Sequence, residues 1–212
     1  MIVLYVGFMN NIVSSFPSPA MGRPRAFDME TVIARTVPVF REYGYAGASI
    51  DRLKTATGLT AGSLYKAFTD KRGVFEAAFT HYVKQRRQDL AARLLKASTG
   101  RERIAESLRF YLEAASGFEG RQGCLVLASL IEATTLDGAL HERLSDTLAT
   151  NRAALITMLR EGLQDGSIRA ELPIEASADL LLSLLQGFRA VGKLHDPGDH
   201  DALIGMSLKI LD

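Results

Sequence analysis

The chain has 212 residues, of which 47% are hydrophobic, 23% are charged and one is a cysteine. This composition predicts a globular protein with a buried core, and it excludes an internal disulfide framework. The net charge is only +1, but residues 21–73 hold nine Lys or Arg against five Asp or Glu, whereas the chain from residue 74 onward is net acidic. A basic N-terminal segment on an acidic remainder is expected where one part of a protein contacts phosphate.

The first twenty residues form an apolar, uncharged stretch. They lack the positively charged region and the cleavage site of a signal peptide, and no run in the chain approaches the roughly 20 apolar residues of a membrane helix. We therefore expect residues 1–20 to be a disordered or weakly ordered extension before Met21, and we expect no membrane partner. The single Cys124 fits a reducing compartment, which favours a cytoplasmic location.

Helical periodicity runs through almost everything after residue 27, and hairpin signals are absent. The fold class is therefore predicted to be all-α, with about nine helices. Asp28 is a good N-cap for the first helix, and Ile33, Val37 and Phe40 form its predicted buried stripe. Pro38 lies inside that helix and is expected to bend it.

The next two helices are short and separated by a tight turn. Ser49 is the predicted N-cap of the second helix, Gly58 suits a left-handed C-terminal position, and Thr60 is the predicted N-cap of the third. Leu64 and Phe68 share one face of the third helix, whereas the opposite face is small or polar. Asp70 is the predicted N-cap of a long fourth helix that continues to about Leu95.

This arrangement is that of a helix-turn-helix, whose second helix enters a DNA major groove. Small residues on the outer face allow the helix backbone to approach base edges. The alternative is an ordinary three-helix subdomain with a solvated face.

The segment over residues 23–83 resembles the N-terminal DNA-binding domain of TetR-type transcriptional regulators. The similarity lies in Phe40 with Gly44-Tyr45, in Ser49-Ile50, in Ala56-x-Gly58-Leu59, in Ser63-Leu64-Tyr65-x-x-Phe68 and in Lys71. Pro38 and Gly73 depart from the family pattern. The resemblance implies a repressor that binds a near-palindromic operator of double-stranded DNA as a homodimer, with a small-molecule effector in the C-terminal domain releasing the DNA.

Three groups of residues are candidates for DNA contacts. Hydroxyl and ammonium groups at helix N-termini and on the groove flank are placed to contact phosphates. Residues on the outer face of the third helix are placed to contact base edges, and an N-terminal arm is placed to enter the minor groove. The phosphate candidates are Ser49, Tyr65 and Lys71, the base-edge candidates Thr60, Ala61, Gly62, Ser63 and Lys66, and the arm residues Arg23 and Arg25. Alternatively, Ser49 is only an N-cap, Tyr65 is a partly buried aromatic and Lys66 contacts a phosphate or is solvated.

Residues 21–75 are therefore assigned to the helix-turn-helix domain and residues 76–212 to a larger helical domain for effector binding and dimerisation. The last two helical segments, 176–194 and 199–211, are apolar over a wide arc, which predicts a dimer seam; burial inside a monomer core is the alternative. A mostly apolar effector is expected among the middle helices. Its predicted contacts are Phe110, Tyr111, Leu127, Ile131, Leu159 and Leu185, a set that equally describes plain core.

No catalytic constellation of nucleophile, base and acid is present in the sequence, so the chain is not expected to be an enzyme. His195, Asp196, Asp199 and His200 lack regular metal-ligand spacing, and neither a metal nor a cofactor is predicted. Two alternative functions stay open. One is a helical interaction module without DNA binding, and the other is a regulator that senses electrophiles through Cys124.

Overall fold

The computed structural model describes residues 28–135 and 138–212, which form ten α-helices, two short 3-10 helices and no strand. The α-helices are α1 (Met29–Gly47), α2 (Ile50–Thr57), α3 (Ala61–Phe68), α4 (Lys71–Leu94), α5 (Gly100–Ala114), α6 (Gly117–Gln122), α7 (Leu125–Ile131), α8 (Gly138–Asp165), α9 (Ile174–Val191) and α10 (His200–Leu208). The all-α prediction is confirmed, and the predicted count of about nine is one too few because it did not include the six-residue helix α6. The predicted extension and the arm residues Arg23 and Arg25 lie outside the described residues.

Each of the first four helices begins at a residue whose side chain accepts a hydrogen bond from a free backbone N–H of the first turn. These N-caps are Asp28, Ser49, Thr60 and Asp70, as predicted. Gly58 ends α2 in the left-handed conformation, with φ of +73°. Local sequence therefore fixes the helix boundaries of the N-terminal part.

Helix α1 is interrupted at Gly44 and not at Pro38. Gly44 has φ +69° and ψ −177°, the only non-helical backbone angles inside Met29–Gly47. Val37 and Phe40 are buried as predicted, but Ile33 is only half-buried and Val32 and Val39 are buried as well. The buried arc is wider than one stripe because α1 packs against α2, α4 and α7.

Gly73, a departure from the family pattern, has a steric reason. A Cβ atom at this position would lie 1.9 Å from the carbonyl oxygen of Phe68 at the end of α3. Asp70 Oδ1 accepts a hydrogen bond from the Gly73 N–H at 2.8 Å, so the first turn of α4 is intact. Glycine at this position lets α3 and α4 join with almost no intervening chain.

The apolar side chains form two clusters. The first joins α1–α4 with α7 and the start of α8 around Phe40, Phe75 and Leu125. The second joins α5, α9 and α10 with the other half of α8. The predicted boundary at residue 75 therefore falls inside α4, and the N-terminal core continues past it. None of the described helices is long and apolar enough to traverse a bilayer.

Buried Arg41 in α1 connects the N-terminal helices to the segment between α6 and α7. Its Nε and Nη2 donate to the Gly123 carbonyl oxygen at 2.9 and 2.7 Å, and its Nη2 lies 2.8 Å from Glu119 Oε1. A second connection lies at the end of α7, where the Glu132 carboxylate accepts from the N–H groups of Tyr45 and Ala46 at 2.7 and 3.2 Å. These contacts hold the helix-turn-helix against the remainder of the chain.

Candidate functional site

Helix α3 presents the outer face that the sequence predicted. Leu64 is fully buried and Phe68 is half-buried against α4, whereas Gly62, Tyr65 and Lys66 are exposed. Side chains on one face hold the helix in place, and the other face is open to a partner. A protruding, uncovered second helix is the geometry with which a helix-turn-helix enters a major groove.

The first turn of α3 is ordered by its own hydroxyl groups. Thr60 Oγ1 accepts a hydrogen bond from the Ser63 N–H at 3.2 Å and lies 3.0 Å from Ser63 Oγ. Thr60 is exposed, and Ala61 and Ser63 are half-buried. Backbone N–H groups and hydroxyls at a helix N-terminus bind phosphate or base edges. The geometry therefore allows the predicted contacts at Thr60, Ala61 and Ser63, which stay predictions.

The three phosphate candidates have different surroundings. Ser49 Oγ accepts from the Arg52 N–H at 3.2 Å as the N-cap of α2, and Tyr65 is 44% exposed, so its phenol is not held in a core. Lys71 Nζ donates to the carbonyl oxygens of Tyr45 and Ala46 at 2.9 and 3.4 Å. Lys71 thus has a structural role at the end of α1, because an ammonium group has three donors and two are used there.

We expect Lys71→Ala to weaken binding to operator and random DNA alike, because a phosphate contact carries no sequence information. The slope of log affinity against log salt should fall in magnitude by about 1. Fluorescence anisotropy at several salt concentrations measures it, with Lys66→Ala as the comparison on α3. An unchanged slope together with a lower melting temperature would show that Lys71 acts on the fold alone.

We expect Gly62→Ala to separate stability from DNA affinity. A Cβ atom here would meet only Thr60 Oγ1, at 4.0 Å, and alanine favours the helix by up to about 1 kcal/mol. Because the added methyl group would stand between α3 and the bases, operator affinity should fall by ~1–3 kcal/mol, the cost of one mismatched base pair. Gly138→Ala in open space at the start of α8 is the control. Unchanged operator affinity would mean that this backbone does not approach the groove.

A cavity of about 60 Å³ lies between α4, α5, α7, α8 and α9. Its apolar wall includes Val83, Leu90 and Val126, and its aromatic wall Tyr82, Phe110 and Tyr111. Arg86 lies over the Phe110 ring, with its Cζ 3.9 Å from the centroid. Five of the lining residues come from the middle and the second half of α4, so one helix joins the cavity to the junction with α3.

Only two of the six predicted pocket residues, Phe110 and Tyr111, line this cavity. Leu159 and Leu185 are buried in the second apolar cluster and serve as core. Leu127 and Ile131 lie along a separate groove at the end of α1, and Ile131 is 78% exposed. Periodicity finds which face of a helix is apolar, but it does not show which apolar residues border a cavity.

The cavity also holds the lone cysteine. Cys124 is 8% exposed, and the Tyr82 hydroxyl donates to its Sγ atom at 3.6 Å. Burial raises the pKa of Tyr82 well above its usual value, with a further rise from Cys124, and burial likewise raises the pKa of Tyr111. Both phenols therefore stay protonated, and that of Tyr82 donates to Cys124. Electrophile sensing through Cys124 stays an open alternative.

Four residues with evident roles were not found from the sequence. Arg41 and Glu132 join the N-terminal helices to the later ones, and Gln186 and Arg189 line the cavity. All four are polar, and Arg41 and Arg189 are almost fully buried. A buried arginine is unusual enough to mark a functional position, but its burial is visible only once the helices are packed.

The chain matches known proteins in both of its parts. Residues 32–78 match the family described as bacterial regulatory proteins of the tetR family, and residues 100–204 match the tetracyclin repressor-like C-terminal domain. The HTH-type transcriptional repressor ComR of Escherichia coli is 25% identical over 170 residues, which are 78% of this chain and 80% of ComR. The uncharacterized HTH-type regulator YezE of Bacillus subtilis is 31% identical over 112 residues, 53% of this chain and 58% of its own.

The similar solved structures include complexes with DNA. One of them is a cysteine mutant of the TetR-family regulator CifR complexed with a 26-base-pair double-strand operator. It is 31% identical to this chain with a TM-score of 0.74, and the match covers 89% of this chain and 98% of the CifR chain. The likeness therefore extends over both apolar clusters as well as the helix-turn-helix.

Proposed function

Because this chain belongs to the TetR family and is a DNA-binding transcriptional repressor, we propose that a small molecule in the cavity beside α4 releases it from its operator. The observation that supports this proposal is the course of α4. Its N-terminal end joins α3 at Gly73, and its middle and second half supply Tyr82, Val83, Arg86, Arg87 and Leu90 to the cavity wall.

Helix α4 is long enough to act as a lever. Its 24 residues span about 36 Å at 1.5 Å per residue, so a small tilt at the cavity moves the DNA end by several ångströms. In a dimer, the two recognition helices must lie about 34–36 Å apart to enter successive turns of one groove face. A ligand that favours the tilted state 100-fold supplies about 2.7 kcal/mol of coupling.

We further propose that the repressor works as a homodimer formed through α9 and α10. Leu180, Leu184, Gly187 and Val191 recur on one face of α9 at spacings of four, three and four residues. Leu180 is 47% exposed and Val191 57% exposed, and the face continues into a groove with Leu203 of α10. An apolar helix stripe left open by its own chain is typical of a two-fold helical interface.

Selection from a random duplex library tests DNA binding and half-site spacing together. We expect a near-palindromic duplex whose affinity falls steeply with salt. Compounds that raise the melting temperature of the free protein are then tested for release of that duplex. A failure to bind any duplex at low salt would favour the interaction-module alternative, and stabilising compounds that never change DNA affinity would contradict release through the cavity.

Cross-linking the two DNA-binding domains at operator spacing tests the lever itself. The tethered dimer should still bind the effector but should no longer release the operator, because the spacing is fixed. Release as ready as that of the untethered dimer would exclude the α4 movement as the mechanism.

A further inference from the structure

The cavity beside α4 has a strongly asymmetric charge. Of the residues that line it, three are arginines, namely Arg86, Arg87 and Arg189, and none is Asp or Glu. Arg86 is stacked on Phe110 at 3.9 Å, which leaves its charge at the cavity wall. A cavity with only positive charges concentrates anions.

Arg189 is the least accessible of these charges, with 2% of its surface exposed. Its Nη2 donates to the Gly123 carbonyl oxygen at 2.7 Å. Its Nη1 is buried and has no hydrogen-bond partner among the described residues, and no carboxylate of that part of the chain forms an ion pair with it. A buried guanidinium without an anion is costly, and this one borders a cavity that an anion fits.

Gln186 lies three residues before Arg189 on α9 and lines the same cavity. Its Oε1 atom is also buried and receives no hydrogen bond from the described residues. Positions three apart share one helix face. The cavity therefore combines an unused charged donor and an unused acceptor, which are complementary to a ligand carrying both an anionic oxygen and a hydroxyl group.

The volume limits the size of such a ligand. One buried water molecule needs about 10–15 Å³ of cavity volume, so a cavity of about 60 Å³ has room for roughly four to six groups of the size of a water molecule. A hydroxycarboxylate of two or three carbons has this size. Its short carbon chain would lie against Val83, Leu90 and Val126.

We propose that this cavity binds a two- or three-carbon hydroxycarboxylate, whose carboxylate accepts from Arg189 Nη1 and whose hydroxyl donates to Gln186 Oε1. The proposal rests on the effector role proposed above and replaces the mostly apolar effector that the sequence indicated. It also provides a route to the DNA. Arg189 and Arg41 donate to the same Gly123 carbonyl oxygen, at 2.7 Å from each Nη2, so a ligand that draws Arg189 toward the cavity alters a contact of α1.

Isothermal titration of the full chain with glycolate, L-lactate and 3-hydroxypropionate, each beside its neutral amide, tests the proposal. We expect at least one acid to bind, and its amide to bind about 100-fold more weakly because the charged contact is lost. Arg189→Met should lose affinity for that acid by a similar factor, and Gln186→Met by about tenfold. Arg109→Met, whose guanidinium pairs with Asp201 outside the cavity, should bind as the unchanged chain does.

Arg189→Met should also melt no lower than the unchanged chain without ligand, since an apolar side chain replaces an uncompensated charge. If that variant does not fold, the comparison of each acid with its amide and the affinity of Gln186→Met test the proposed site. No binding of the three acids at millimolar concentration, or equal binding of acid and amide, would overturn the proposal. Acid binding that depends on Arg189 but leaves the operator affinity unchanged would support the proposed ligand site. It would contradict release of DNA by a ligand at that site. Release of the operator by neutral apolar compounds alone would support release through the cavity but contradict the hydroxycarboxylate as its ligand.

Discussion

Replacing both Leu180 and Val191 with glutamate is expected to convert the proposed homodimer into a monomer that binds its operator at least ~100-fold more weakly. In each protomer, two charges would be buried without partners, one at each end of the α9 stripe, at a cost that a dimer interface does not tolerate. A monomer contacts one half-site at a time and loses the effective concentration that joins two modules, which is worth about 10²–10⁴ in affinity. Light scattering gives the mass, and anisotropy with the selected duplex gives the affinity.

The matched control carries the same charges elsewhere. Leu95 and Phe118 are 88% and 69% exposed and lie at the end of α4 and in α6, and neither belongs to the stripe. Their double replacement by glutamate should leave both mass and affinity unchanged. A stripe variant that remains dimeric would place the interface on another surface, whereas a monomer with full operator affinity would reject the two-half-site arrangement.

Arg41→Met is expected to lower the free energy of unfolding by about 3 kcal/mol, the lower end of the cost of breaking a buried charged pair. The lower end applies because Glu119, its partner, is 43% exposed in its side chain and is solvated once the arginine is lost. In a chain of this length, that loss corresponds to a fall in melting temperature of roughly 6–12 °C. Thermal and urea unfolding measure it.

Arg52→Met is the control for the loss of one arginine near the same helix. The Arg52 guanidinium lies over the Tyr43 ring, 4.1 Å from its centroid, at an exposed position where such a contact contributes about 0.5–1 kcal/mol. Equal losses from the two substitutions would mean that the contacts of Arg41 with Gly123 and Glu119 do not carry the stability assigned to them. Arg41→Lys should recover only part of the loss, because an ammonium group lacks the planar fork that reaches both partners.

The N-terminal half of the fold could be predicted from the sequence because its signals are local. A cap depends on one side chain and the next few backbone N–H groups, so Asp28, Ser49, Thr60 and Asp70 mark helix starts without reference to the remainder of the chain. The same holds for the left-handed Gly58 and for the bare face of α3, which follows from a period of 3.6 residues. Membership of the TetR family was carried by these residues.

Only the tertiary structure decided which residues line the cavity and which fill the core. Whether Phe110 borders a cavity and Leu159 fills a core depends on which helices meet, and both residues look alike in a periodic pattern. Gly73 departs from the family pattern, yet only the distance to the Phe68 carbonyl shows why no side chain fits there. Arg41 and Arg189 are 148 residues apart, and both donate to one oxygen of Gly123. Sequence therefore determined the DNA-binding surface, whose parts are neighbours along the chain, whereas packing determined the cavity and its charge, because contacts between distant residues leave no local pattern.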